Sequence, residues 1–246
     1  MIEANKINDR IYKQHLAVCE EIFRGEECRI IFLKISDHAQ AINESSYGPF
    51  FASVQDYAVH RMVLAVHNIF DSTKTDKPKL SIPEIIRELP AARLFNPTAI
   101  IDYLKDLGKD CPESVQATNL SKIAQTYLEQ VRPTTKSSER LQRVANYRNT
   151  WVAHRQDVVL KEQSGVKIED IDWCLDWAKG FIIAIANGYL GTHCGNDVKS
   201  FYTSNDAGVS ALCMKRILED LHVVKERHDG GVERRRRKRI ERLKNQ

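Results

Sequence analysis

Arg148, Asn149 and His154 are the residues of this chain whose types and spacing suit chemistry, and they fall within the stretch 138–155. An arginine stays charged and offers a planar fork of donors to phosphoryl or carboxylate oxygens. A histidine titrates near neutrality and can take or give a proton. An asparagine beside them can orient a bound anion or the imidazole. The three together suit attack on an RNA phosphodiester. The ribose 2′-hydroxyl is the nucleophile, histidine moves a proton, and arginine holds the charge that develops on the phosphoryl oxygens. DNA lacks that hydroxyl.

The element that must position these groups is a helix with a conflict in it. At about 100° per residue, Leu141, Val144, Ala145, Trp151 and Val152 share one apolar stripe. Arg148 falls near the middle of that stripe and Arg155 lies beside it. A guanidinium on a core-facing stripe is costly unless paired and hydrogen-bonded. Asp71, near the end of an earlier helix, is one candidate partner; the other reading has it close that helix and nothing more. Six residues turn an ideal helix by about 600°, so Arg148 and His154 point about 120° apart. Either the helix loosens over 150–153, or a second copy of the motif completes the site across a two-fold interface. A purely structural reading makes Arg148 a buried strut and His154 a cap favoured by the helix dipole.

The run from Arg148 and Asn149 through Thr150, Trp151, Val152 and Ala153 to His154 resembles the signature of the HEPN superfamily. The flanking Tyr147 and the Ala153-His154-Arg155 ending are similar to its abortive-infection, AbiU-like branch, as is the run 64–71 that ends at Asp71. The resemblance spans roughly residues 47–190, and only the short motif is specific. It implies an all-α, HEPN-like helical bundle that dimerises with its site at the interface and cuts RNA without a metal or other cofactor. Arg148, Asn149 and His154 would then be the catalytic residues. The implied setting is a cytoplasmic toxin or antiphage effector, with an antitoxin as a further partner. Some members of the superfamily bind without cutting. The alternative expectation is therefore a non-catalytic module for nucleotide, RNA or a protein partner.

Composition frames these expectations. The chain has 246 residues, 42% of them hydrophobic and 28% charged, as expected of a soluble globular protein. No apolar run approaches the roughly 20 residues that span a bilayer, and the start lacks a basic segment followed by an apolar one, so neither membrane insertion nor export is expected. Six cysteines are scattered without paired spacing; His193-Cys194 is the nearest thing to a metal-ligand pair and lacks partners at zinc-site spacing. The net charge of +4 is uneven, because nine Lys and Arg stand against three acidic residues over 227–246. That stretch carries +6, which leaves −2 for the body. Arg155 and the tail residues Arg234, Arg235, Arg236 and Arg237 are expected to add phosphate affinity. A solvated terminus, or a site for an acidic partner, explains the tail equally well.

Periodicity and punctuation predict one helical domain over 1–228, with its core at about 44–192, followed by a basic flexible tail over 229–246. Helices are expected over 3–24, stopped by Gly25, and over 26–43. A long helix follows over 47–72 with Pro49 in its first turn. Short helices start at Ser81 and at Asn96-Pro97, and another runs over 112–130. The motif helix starts at Ser137 or Ser138. A strongly apolar helix over 168–190 packs antiparallel to it, with Trp173 and Trp177 on its flank for packing or for stacking on a base. After a loop over 191–206, a last helix spans 208–227.

Overall fold

The computed structural model describes residues 2–72, 80–110, 116–153, 165–195 and 197–224. These form an all-α fold, with nine α-helices and no strand among the described residues. None of the helices is long and apolar enough to cross a membrane.

The longest is α1, Ile2–Asp37, a single helix of 36 residues where the sequence predicts two. Its buried positions Ile7, Ile11, Val18, Ile22 and Ile35 keep one seam running through Gly25. Gly25 does not end the helix, because what it supplies is closeness and not a left-handed turn. A Cβ at this position would lie 3.1 Å from Leu175 Cδ2 and 3.5 Å from Ala65 Cβ. Three helices meet there. Leu16, an apolar residue of the same helix, is exposed.

A short α2, Ala39–Glu44, leads into α3, Gly48–Phe70, which carries Pro49 in its first turn. Gln55 donates to Ser36 at 3.0 Å, and Gly25 meets Ala65, so α3 runs antiparallel to α1. Next come α4, Ile82–Glu88, and α5, Pro97–Asp106, where Asn96 Oδ1 caps the N–H of Ala99 at 3.3 Å. Then follow α6, Ala117–Val131, and α7, Glu139–Tyr147. Ser138 is the cap of α7, its hydroxyl accepting from Leu141 N–H at 3.3 Å. After α8, Ile168–Ile185, the chain closes with α9, Tyr202–Asp220. This last helix begins six residues earlier than expected, just after a turn in which Ser200 N–H donates to Asp197 Oδ1 at 2.7 Å. Buried Phe201 anchors the start.

The central helix is α8. It lies antiparallel to α1, as contacts at both ends show: Asn8 Nδ2 donates to Tyr189 O at 2.6 Å, and Lys179 Nζ to Glu26 Oε1 at 2.5 Å. The expectation of a purely apolar helix omits Lys179. Its side chain is 5% exposed and that of Glu26 is 8% exposed, so an ion pair is sealed between α1 and α8. Trp177 packs between Phe70 and Phe181, with ring centroids 5.7 and 5.8 Å away, and lies partly buried against the core. Trp173 lies under Arg140, 5.4 Å from its guanidinium.

Beyond Ile185, α8 widens into a π turn, Ala186–Leu190. The carbonyl of Gly188 accepts from Phe95 N–H at 2.8 Å and from Asn96 N–H at 3.0 Å. A Cβ at Gly188 would lie 2.5 Å from Ile100 Cδ1 and 2.7 Å from Cγ1. We expect Gly188→Ala to cost about 1–3 kcal/mol by overpacking. Urea unfolding should show most of that loss recovered by adding Ile100→Ala, and no recovery would mean that the backbone, not Ile100, is in the way.

A second buried polar group holds α1 to α8. His15 hydrogen-bonds the backbone of Ile182, and burial lowers its pKa to about 4, the bond acting weakly in the other direction. The fold therefore holds the neutral imidazole, while the unfolded chain titrates near 6.5. This contribution is complete above pH 6.5 and is lost as the pH falls from there toward 4. Between pH 7.5 and 5 the loss is about 2 kcal/mol by linkage. His15→Gln should flatten the pH dependence of urea unfolding; a variant as pH-sensitive as the wild type would refute the assignment.

Candidate functional site

The motif begins on α7, whose side chains fall into two groups. Leu141 and Val144 are buried. Arg143 faces α8 and forks onto Asp170, with Nε to Oδ2 at 2.8 Å and Nη2 to Oδ1 at 2.6 Å. Asp170 Oδ2 also accepts from the N–H of Lys167 at 3.1 Å. The guanidinium and that N–H hold the Asp170 carboxyl below the usual carboxylate range. With Arg140 over Trp173, these contacts fix α7 antiparallel to α8.

At Arg148 the helix changes. Residues Arg148–Ala153 form a π turn, in which hydrogen bonds reach one residue further than in an α-helix. A loosening over 150–153, one of the two alternatives that the Arg148 to His154 spacing leaves open, falls within this segment. Such turns are rare and concentrate at functional positions.

Arg148 is half-buried and Asn149 is exposed. The structure brings these two together: Arg148 Nη1 donates to Asn149 Oδ1 at 2.9 Å. Arg148 Nε is shielded from solvent and has no acceptor among the described residues. Among the described residues no carboxylate forms an ion pair with Arg148, so its environment differs sharply from that of Arg143. His154, Arg155 and the tail residues Arg234, Arg235, Arg236 and Arg237 lie outside the described residues, and with them the link between His154 and Arg148.

The packing direction explains why Asp71 is not the partner of Arg148. α3 is antiparallel to α1, α8 is antiparallel to α1, and α7 is antiparallel to α8. The end of α7 therefore points toward the N-terminal half of α3. Tyr147 marks the place, its ring centroid 6.1 Å from that of His60. Burial raises the Tyr147 phenol pKa, and the nearby Asp56 charge adds to the shift. Asp71 stands eleven residues past His60, about 16 Å further along the helix at 1.5 Å per residue. There its carboxylate lies 3.8 Å from His67 Nε2. His60 has its own carboxylate neighbour, Asp56 Oδ1, at 3.6 Å.

Among the described residues, no group of three or more His, Cys, Asp or Glu is placed to hold a metal ion. Burial pushes the thiol of Cys194 up to about 11 and that of Cys19 up to about 12, toward the protonated form. Both side chains are partly buried and pack against the core.

The groups that sequence reasoning missed are the buried polar ones: Lys179, Asp170, His15 and Asn8. The available signal was a charged residue at a core position of an otherwise apolar helix, which Lys179 and Asp170 both show. Comparison with protein families, with curated proteins and with solved structures gives no match to this chain.

Proposed function

We propose that this chain is a metal-independent endoribonuclease of the HEPN type, with Arg148, Asn149 and His154 as its catalytic groups. The observation that carries the reading is Arg148 itself: a guanidinium on a π turn, bonded among the described residues to the neighbouring asparagine alone, with a shielded Nε lacking an acceptor among them. A buried donor without a partner is unfavourable in the folded protein, and a phosphoryl oxygen is the acceptor its fork fits best. The strut reading requires an acid on Arg148, and none is there among the described residues.

In this mechanism the ribose 2′-hydroxyl attacks the adjacent phosphorus. His154 serves as the acid or base, one proton leaving the 2′-oxygen and one arriving on the departing 5′-oxygen. Arg148 contacts the nonbridging oxygens, whose charge grows in the transition state. Asn149 fixes the guanidinium by the bond already formed. The products are a 2′,3′-cyclic phosphate and a 5′-hydroxyl. The same reading places two copies about a two-fold axis with the site at their interface, and assigns the chain to the cytoplasm as a toxin or antiphage effector restrained by an antitoxin.

The test is to incubate mixed cellular RNA with the chain in EDTA, beside Arg148→Ala and His154→Ala, and to assay for cyclic-phosphate ends. Cutting by the wild type alone, with DNA left intact, is the expected result. Binding without cutting by all three would return the chain to the non-catalytic alternative.

A further inference from the structure

An in-line displacement at phosphorus puts the attacking 2′-oxygen and the departing 5′-oxygen on opposite sides of the phosphate. One imidazole cannot serve both at once, so a site with His154 on one side needs a second group on the other. The helix α3 offers one. α7 runs antiparallel to α3, and the π turn that continues α7 packs against α3. Asp56 and His60 lie along that approach, four residues apart and therefore on one face of α3. Asp56 Oδ1 stands 3.6 Å from His60 Nε2. The ring of His60 is 6.1 Å from that of Tyr147, the residue next to Arg148. The Asp56 charge acts on the Tyr147 phenol, so the carboxylate too is on the α7 side of α3.

We propose that His60, oriented by Asp56, is the second proton-transfer group of the Arg148 site, the acid that protonates the departing 5′-oxygen. This inference rests on the ribonuclease reading of Arg148 and adds to it a residue outside the motif. The groups around His60 leave it that role. Burial and the Asp56 charge hold the Tyr147 phenol above its usual pKa, which makes it a poor proton donor. Asp56 is an exposed carboxylate and only accepts when ionised. Arg61, the next residue, is turned to α1, where it donates to Glu21 at 2.9 Å. Arg148 stays charged and gives up no proton. His60 is half-buried. A carboxylate at Nε2 fixes its ring and counters the charge of the protonated form, the form that has a proton to give. Nδ1 is left for the substrate. In the step, the bond from the 2′-oxygen to phosphorus forms as the bond from phosphorus to the 5′-oxygen breaks. The 2′-hydroxyl proton passes to His154, and the Nδ1 proton of His60 passes to the 5′-oxygen.

The test uses the full chain and two versions of one RNA oligonucleotide that the wild type cuts at a mapped linkage. In the second version, sulfur replaces the 5′-bridging oxygen at that linkage, and a thiolate leaves without needing a proton. We expect His60→Gln to cut the oxygen RNA about 10²–10³-fold more slowly, within the range for loss of a general acid, and the sulfur RNA at nearly the wild-type rate. The wild-type rate on the oxygen RNA should fall on the alkaline side, where the acid loses its proton, and His60→Gln should lack that fall. Asp56→Asn should show a smaller loss that the sulfur RNA restores. Equal slowing on both substrates, or no slowing on either, overturns the acid and leaves the Arg148 reading standing. A wild type that cuts no RNA removes both. Circular dichroism checks that His60→Gln keeps its helices. If it does not, Asp56→Asn at its exposed position decides, and an unchanged rate on the oxygen RNA overturns the proposal.

Discussion

Lys179→Met lowers the melting temperature by roughly 10 °C. The side chain is nearly isosteric, so the shape of the α1–α8 interface survives and only the charge is lost. Glu26 then remains buried without its hydrogen-bonded cation, Lys179 Nζ having stood at 2.5 Å, and Arg29, which forks onto Asp172, acts on it only from further away. Removing one partner of a buried pair costs about 3–5 kcal/mol, because an uncompensated charge is left in a poorly solvating interior. For a chain of this size each kcal/mol moves the midpoint by about 2–4 °C. Asp176, 3.2 Å from Nζ on the same helix, is half-exposed and takes up water when the lysine goes, so it adds little. The double variant Glu26→Gln with Lys179→Met should recover most of the loss, since the amide removes the buried charge. Calorimetry on the three proteins decides the matter. A single variant as stable as the wild type would mean that Glu26 reaches water by moving.

On the proposed ribonuclease reading, Arg148→Ala reduces RNA cleavage by about 10²–10³-fold, the usual effect of removing one preorganised donor to a developing oxyanion. Arg148→Lys should recover little of it. A lysine ammonium supplies charge but neither the planar fork nor a donor at the Nε position, which is the unmet group here. Stability runs the other way. Because Nε lacks an acceptor, replacing Arg148 with Met removes a buried unmet donor, and the melting temperature should hold or rise. Reduced activity with undiminished stability is the pattern of a group placed for a ligand. A strut would show the opposite, a clear drop in melting temperature together with any loss of activity.

Much of the architecture was legible in the chain because helix signals are local. Ser138 and Asn96 were readable as caps from their type and place before an apolar-periodic run, and both hydrogen bonds form. Gly25 misled for a physical reason. A glycine stops a helix when the backbone needs a left-handed conformation, but here it answers to Leu175 and Ala65, residues far away in sequence. Lys179 and Asp170 were visible as letters, yet their partners Glu26 and Arg143 lie on other helices, so local pattern could not pair them. The site divided the same way. Arg148 and Asn149 stood out by type and spacing, and they do touch. The idea of Asp71 as the partner of Arg148 failed because it depended on the direction in which α7 crosses α3, which neither segment encodes alone.

The π turn at Arg148–Ala153 has a consequence for how this chain tolerates length changes. A π turn holds one residue more than an α turn, so it acts as a phase adjuster between the α7 side chains locked to α8 and whatever follows. Deleting a single residue such as Thr150 would let the backbone rewind to α geometry with little change of phase, leaving Arg143 on Asp170 while removing the wide turn that carries Arg148. A one-residue deletion here is therefore absorbed as a change of helix type, whereas the same deletion within α7 would rotate all that follows it by about 100°.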